Sequence, residues 1–385
     1  MSMVRASGSP SERLLFVDLM RGAAMLVMVE VHVVNSLMQS GYRQAPWFAL
    51  LDFINGLVAP TFLFLSGFAL LLSCQPHLDA LRRGGSLFRR ILGRIGLIWL
   101  LGYLIHAPSF SLHTWLHATT PEQWLHFLSV DILQCIACGL LLFLLARLVI
   151  VHEGWFTAVV VLLLCLVVLP APWLYAMDIG RWLPLVVAVY LAPIGSTLFP
   201  LLPWLGFMAV GVLVGQRFLQ AREQGHEQRL MGWLALLGGG LCMICHPLLV
   251  ALKEGMGPAM DERPHLLFFG TRLGWVLVLL AFCFAVCRGR EKLTTALHVP
   301  SRESLLVYVV HLQLLYHPLW KGQSLVMWAG QRLSLTASLA LTLGLIGVLL
   351  PLAHGWHLLK RHHHLACHRL TAATLVGGAL LFLIS

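Results

Sequence analysis

Charge is what this sequence has least of. Only 11% of its 385 residues are Asp, Glu, Lys or Arg, and just 16 are acidic, whereas an average soluble domain carries roughly 25% charged residues. A water-exposed surface cannot be built from so few. The chain also lacks a low-complexity linker, a convincing internal repeat and any polar block long enough to fold alone. These absences exclude a separate soluble catalytic domain and argue against transporter folds built from repeats. There is no HExxH pattern for a zinc hydrolase. Nor does a signal-peptide core follow the short polar stretch Met1 to Glu12, because the next apolar run contains Asp18, Arg21, Glu30 and His32.

What the chain has instead is apolar length. Hydrophobic residues make up 59% of it, and the mean hydropathy is +0.83. Runs near the ~20 residues needed to cross a bilayer recur throughout. They predict an all-α, polytopic membrane helix bundle of about eleven spans. The spans are expected over residues 14–38, 50–73, 91–107, 129–150, 155–175, 198–216, 231–252, 267–287, 304–320, 334–358 and 370–385. Residues 1–13 read as a cytoplasmic N-terminal segment, and 14–385 as one transmembrane domain. The stretch Trp182 to Gly195 is short and bounded by prolines, which fits a re-entrant or interfacial segment.

A net charge of +10 would suggest a nucleic-acid partner if the basic residues formed one face. They sit in short loops instead, so nucleic acid is not expected and membrane lipids are. With the N-terminus inside, eighteen of the 26 Lys and Arg fall on the cytoplasmic side, among them Arg82, Arg83, Arg89, Arg90, Arg94, Arg147, Arg288, Arg290, Lys292, Lys360 and Arg361. The outer loops keep six, and Arg21 and Arg272 lie within spans. This bias predicts a cytoplasmic N-terminus in the inner membrane.

Ionisable groups at membrane depth are costly, so each needs a partner or a cavity. At about 100° per residue, Arg21 and His32 fall within roughly 20° of each other, with Asp18 and Asn35 on the same broad face and Glu30 about opposite. Eleven residues separate Arg21 from His32 by roughly 16 Å, a length that suits a tunnel for an elongated ligand. The plain alternative is an Asp18–Arg21 ion pair and a His32 hydrogen-bonded to a neighbouring helix. A second stripe, Ser304, Tyr308 and His311, has i, i+4, i+7 spacing. Arg272 needs a carboxylate or phosphate partner, structural or ligand-borne. Asp131 and Gln134 sit at the outer end of their span and read equally as interfacial residues.

Cys135/Cys138 and Cys242/Cys245 have metal-like spacing but lie in apolar helices, where Cys packs as a small core residue. His113/His117 and the run His362, His363, His364 have no accompanying ligand set. No metal site is expected.

The segment Arg13 to His32 carries an Asp-x-x-Arg-Gly pattern at Asp18, Arg21 and Gly22. In this it resembles the opening helix of the transmembrane acyltransferases. Four more pieces follow in the family's order: Ala59 to Gly67, Val130 to Gln134, Phe199 to Gly215 and Ser301 to Leu312. The set is most similar to bacterial relatives of heparan-α-glucosaminide N-acetyltransferase. The spacing of Arg21 and His32 also resembles the acyltransferase-3 group, where that histidine is the proposed catalytic residue. Heparan-type enzymes place Asn where His32 stands and carry their catalytic His in the following outer loop, yet Val33 to Asp52 holds no His here.

The resemblance implies transfer of an acyl group, in the first place acetyl, from acyl-CoA to a sugar hydroxyl or amine. Acyl-CoA is then a co-substrate and not a resident cofactor, and the acceptor is a carbohydrate or glycolipid. His32 and His311 are the candidate catalytic residues. Asp18, Arg21, Asn35, Gln134, Arg272, Ser304 and Tyr308 are the candidates for binding donor or acceptor. A secondary transporter or lipid flippase is the alternative reading, and homo-oligomerisation is left open.

Overall fold

The computed structural model describes residues 14–109, 111–257, 260–288, 303–317 and 323–363, together with residues 373 and 377. The expected last span, 370–385, is therefore outside the described residues apart from two positions, as are Arg290, Lys292 and His364. Among the described residues the structure is 82% helical with no strand. The chain is an all-α membrane bundle.

Helix α1 (Leu15–Leu37) leads through a tight turn into α2 (Pro46–Asn55) and α3 (Val58–Cys74), followed by the short α4 (Leu78–Arg82) and the long α5 (Ser86–Ile105). Two short helices, α6 (Leu112–His117) and α7 (Pro121–Leu128), follow. Then come α8 (Ile132–Val149), α9 (Glu153–Val168), α10 (Ala171–Ala176) and α11 (Leu185–Leu191). The long helices α12 (Leu201–Glu223), α13 (Glu227–Met256) and α14 (Leu266–Cys287) precede α15 (Ser304–Tyr316), α16 (Leu325–Ala329) and α17 (Leu335–His362).

Seven segments among the described residues are long and apolar enough to cross a membrane: Pro46–Arg82, Ile132–Val149, Glu153–Ala176, Leu201–Glu223, Glu227–Met256, Leu266–Cys287 and Leu335–His362. The other expected spans that lie among the described residues form helices too, but α1 carries Asp18, Arg21 and Glu30, α5 carries Arg89, Arg90 and Arg94, and α15 has only 13 residues. The expected span 50–73 is broken between Asn55 and Val58. In the Trp182 to Gly195 stretch, α11 has seven residues, about 10 Å at 1.5 Å per residue, well short of a bilayer.

Lipid offers no hydrophobic drive for helix association, so close packing of small residues must supply it. Helix α3 lies against α12 so closely that a Cβ on Gly211 would collide with the Phe64 carbonyl, and one on Gly67 with the Met208 carbonyl. Helices α13 and α14 meet the same way: a Cβ at Gly238 would sit 2.6 Å from the Gly274 carbonyl oxygen. Cys242 and Cys245 fill the adjoining space beside Gly274 and Gly270, and both are free thiols. Their C-x-x-C spacing is thus a helix-packing pattern.

Polar groups tie the helix ends. Buried Arg147 on α8 donates to Gln75 Oε1 at 3.0 Å and pairs with Glu153, whose other oxygen accepts from Gln216 Nε2 at 2.7 Å. Lys360 of α17 pairs with buried Glu303, just before α15, at 2.6 Å. At the opposite end of α1, Gln39 N donates to Leu333 O and Leu333 N to Leu37 O, joining α1 to the start of α17.

Candidate active site

His32 lies in the last third of α1, where the helix gives its ring a fixed neighbour one turn back. Its Nδ1 is 2.8 Å from the Met28 carbonyl oxygen. A carbonyl only accepts, so Nδ1 carries the hydrogen. His311 of α15 repeats the arrangement, with Nδ1 2.9 Å from the Val307 carbonyl oxygen. The remaining nitrogen of a neutral His311, Nε2, is then a lone pair, and it sits 3.2 Å from His32 Nδ1. One N–H of His32 is shared between a backbone carbonyl and a second imidazole.

The consequence is chemical. His32 Nε2 is left as the unprotonated, proton-accepting nitrogen of the pair. His311 is fully buried and cannot turn to solvent. Four residues further along α1, the Ser36 hydroxyl bonds the Tyr316 hydroxyl, and the Tyr316 ring stands edge-on to His32 at 6.4 Å. Both contacts advance together along the two chains, so α1 and α15 run parallel.

Tyr308, one turn before His311, donates its hydroxyl to Asp131 Oδ2 at 3.2 Å. Asp131 is the N-cap of α8: its Oδ1 accepts from Ile132 N at 2.7 Å, and its own N donates to Gln134 Oε1 at 3.2 Å. Gln134 is fully buried. The same carboxylate oxygen lies 3.9 Å from His106 Nε2. His106 also meets the His126 ring edge-on at 5.0 Å. His126, in the loop helix α7, is held below the ordinary histidine range, first by partial burial and then by His106, against the pull of Asp131.

The expected site residues therefore divide. His32, His311 and Tyr308 converge, and Gln134 joins them through Asp131. Asp18 and Arg21 lie toward the other end of α1, the first buried and the second half-buried. Ser304 opens α15, roughly 10 Å from His311 along the axis toward that same end. Asn35 is exposed, and its carbonyl accepts from Arg43 at 2.7 Å. Arg272 donates its guanidinium to the Phe53 carbonyl oxygen at 2.5 Å, lies over the Phe53 and Phe268 rings at 4.4 and 5.3 Å, and interacts electrostatically with the carboxylates of Asp52 and Glu262. It packs against Gly56 at the break between α2 and α3, where a Cβ would come within 2.8 Å of it. Tyr308, a candidate for binding donor or acceptor, has its proton directed at Asp131.

Residues 13–244 match the family of the heparan-alpha-glucosaminide N-acetyltransferase catalytic region. The chain belongs to that family. The match covers His32, His106, Asp131 and Gln134 but stops before Tyr308 and His311. No curated protein shows significant similarity to the chain. Membership in the heparan-alpha-glucosaminide N-acetyltransferase family makes it a sugar-directed acetyltransferase, and the seven long apolar segments among its described residues make it an integral membrane protein.

Sequence reasoning left Asp131 open as an interfacial residue and did not single out His106 or His126, which the structure brings beside it. Asp131 did carry a signal: an Asp three residues before a Gln at the start of an apolar run marks a capped helix N-terminus, which fixes where its carboxylate points. His106 and His126 carried none, because nothing in their spacing relates them to residue 131.

Proposed function

We propose that the chain is an inner-membrane acyltransferase that moves an acetyl group from acetyl-CoA to the amine or hydroxyl of a sugar, with His32 as the general base. The observation that carries this reading is the His32–His311 pair, whose hydrogen bonds leave one imidazole nitrogen free to accept a proton. The acceptor's proton passes to His32 Nε2 as its oxygen or nitrogen attacks the thioester carbonyl. The carbon–sulfur bond then breaks, and the proton goes from His32 to the departing thiolate. His311 holds the His32 ring and takes a stronger hydrogen bond from it once it is an imidazolium.

Arg21 is assigned to the anionic part of the donor, entering from the cytoplasmic end, with Asp18 setting its direction. The ~16 Å between Arg21 and His32 along α1 accommodates the extended arm that links such an anionic group to a thioester. Ser304 lies on α15 at an intermediate depth and is assigned to the same passage. A density map of the protein with acetyl-CoA tests the reading. Donor density running between α1 and α15, with its thioester near His32, is the expected result; density elsewhere in the bundle refutes it.

A further inference from the structure

We propose that Asp131 is a positioning residue for the histidine pair: held in place by the N-terminus of α8 and by Tyr308, its carboxylate stabilises His32 while that residue carries the acceptor's proton. The inference rests on the acyl-transfer reading above.

The argument starts from the carboxylate's two oxygens. Capping α8 occupies Oδ1, which accepts from Ile132 N at 2.7 Å. The reciprocal bond from Asp131 N to Gln134 Oε1 at 3.2 Å locks the cap. Nothing in a helix cap requires Oδ2 to face another helix. It nevertheless faces α15 and accepts the Tyr308 hydroxyl at 3.2 Å, and the Tyr308 ring meets His311 edge-on at 5.6 Å. Asp131, Tyr308, His311 and His32 thus form one line from α8 across α15 to α1. Asp131 also interacts electrostatically with His32, His126 and Tyr316.

His106 does not cancel that charge in its neutral form. Its Nδ1 is 3.1 Å from the Gly102 carbonyl oxygen and so holds the hydrogen. The Nε2 that faces Asp131 at 3.9 Å is then a lone pair. Beside a neutral His106, the carboxylate faces the imidazole pair with no cation between them. Such a preorganised charge counts most when a positive charge develops in a site of low dielectric. Proton bookkeeping is unchanged, since the proton moves from acceptor to His32 Nε2 to thiolate sulfur and Asp131 takes none.

The test compares Asp131→Asn, Asp131→Ala and Asp131→Glu in the full-length protein in lipid nanodiscs. Thiol release from acetyl-CoA is followed with methyl α-glucosaminide, and with water alone, as acceptor. Asn caps a helix as well as Asp through its Oδ1, and its Nδ2, standing in place of Oδ2, donates to the Tyr308 hydroxyl, but the side chain carries no charge. The expected result is that Asn and Ala both lower kcat by at least ~10-fold, as loss of one electrostatic stabiliser does. The KM for acetyl-CoA stays within about twofold, because the effect is confined to the reaction step. Glu, which keeps the charge, recovers part of the rate. A role in capping alone gives the opposite pattern, Asn near wild type and only Ala impaired, and overturns the proposal. If His32→Asn is inactive while Asp131→Asn turns over normally, only the Asp131 inference falls. Absence of thiol release from the wild type with either acceptor removes the acyl-transfer reading and this proposal with it.

Discussion

Replacing His32 by Asn separates a base from a hydrogen-bonding residue. The imidazole makes two contacts through one N–H, to Met28 O and to His311 Nε2, and offers Nε2 to the acceptor. An Asn side chain can donate as well, but its amide accepts no proton at neutral pH. Loss of a general base lowers the rate ~10²- to 10⁴-fold, which at 1.36 kcal/mol per decade is about 2.7 to 5.4 kcal/mol of barrier. Loss of one of the two hydrogen bonds costs about 1 kcal/mol of stability and leaves a marginally destabilised but folded protein. The two effects are read separately. Thermal unfolding in detergent measures the second, and single-turnover thiol release from bound acetyl-CoA measures the first. A folded, donor-binding His32→Asn protein that turns over at the wild-type rate would refute the base assignment, and His311 would become the candidate. His32→Ala should match Asn in rate; an Asn variant far more active than Ala would mean that His32 only positions the substrate.

Arg21→Lys keeps the charge but loses the planar fork that holds phosphate or carboxylate at two points. The KM for acetyl-CoA is expected to rise about tenfold with little change in folding, and an unchanged KM would leave Arg21 as a structural residue. Single cysteines at Gly84 and Gln224 in a cysteine-free background should resist an impermeant reagent in sealed, right-side-out cells while one at Ser111 reacts, as the basic-residue asymmetry requires. Labelling at position 84 would invert the topology. Gly211→Ala should destabilise the protein by roughly 1–3 kcal/mol through overpacking, because its methyl meets the Phe64 backbone carbonyl and not a side chain that can move. Gly232→Ala, which meets nothing within 4 Å, is the control, and equal melting temperatures for the two would show that α3 and α12 can separate freely.

The membrane class followed from the sequence alone, because span length and scarcity of charge are local quantities that no tertiary contact can reverse. The same holds for the helices that carry Arg21, His32, Tyr308 and His311, since a 3.6-residue period puts their polar groups on one face wherever the helix lies. The break between α2 and α3 was not legible. It sits where a guanidinium from α14 packs against Gly56, a contact made by residues far apart in the chain. Nor could a sequence period pair His32 with His311, which are 279 residues apart. That pairing needs the axial register of α1 against α15, and register is set by side-chain contacts such as Ser36 with Tyr316 across the interface. Asp131 is the clearest case of the division. Its capping pattern could be read from Val130 to Gln134, but the direction of its second oxygen depended on which helix the bundle placed opposite, and only the packed structure put Tyr308 there.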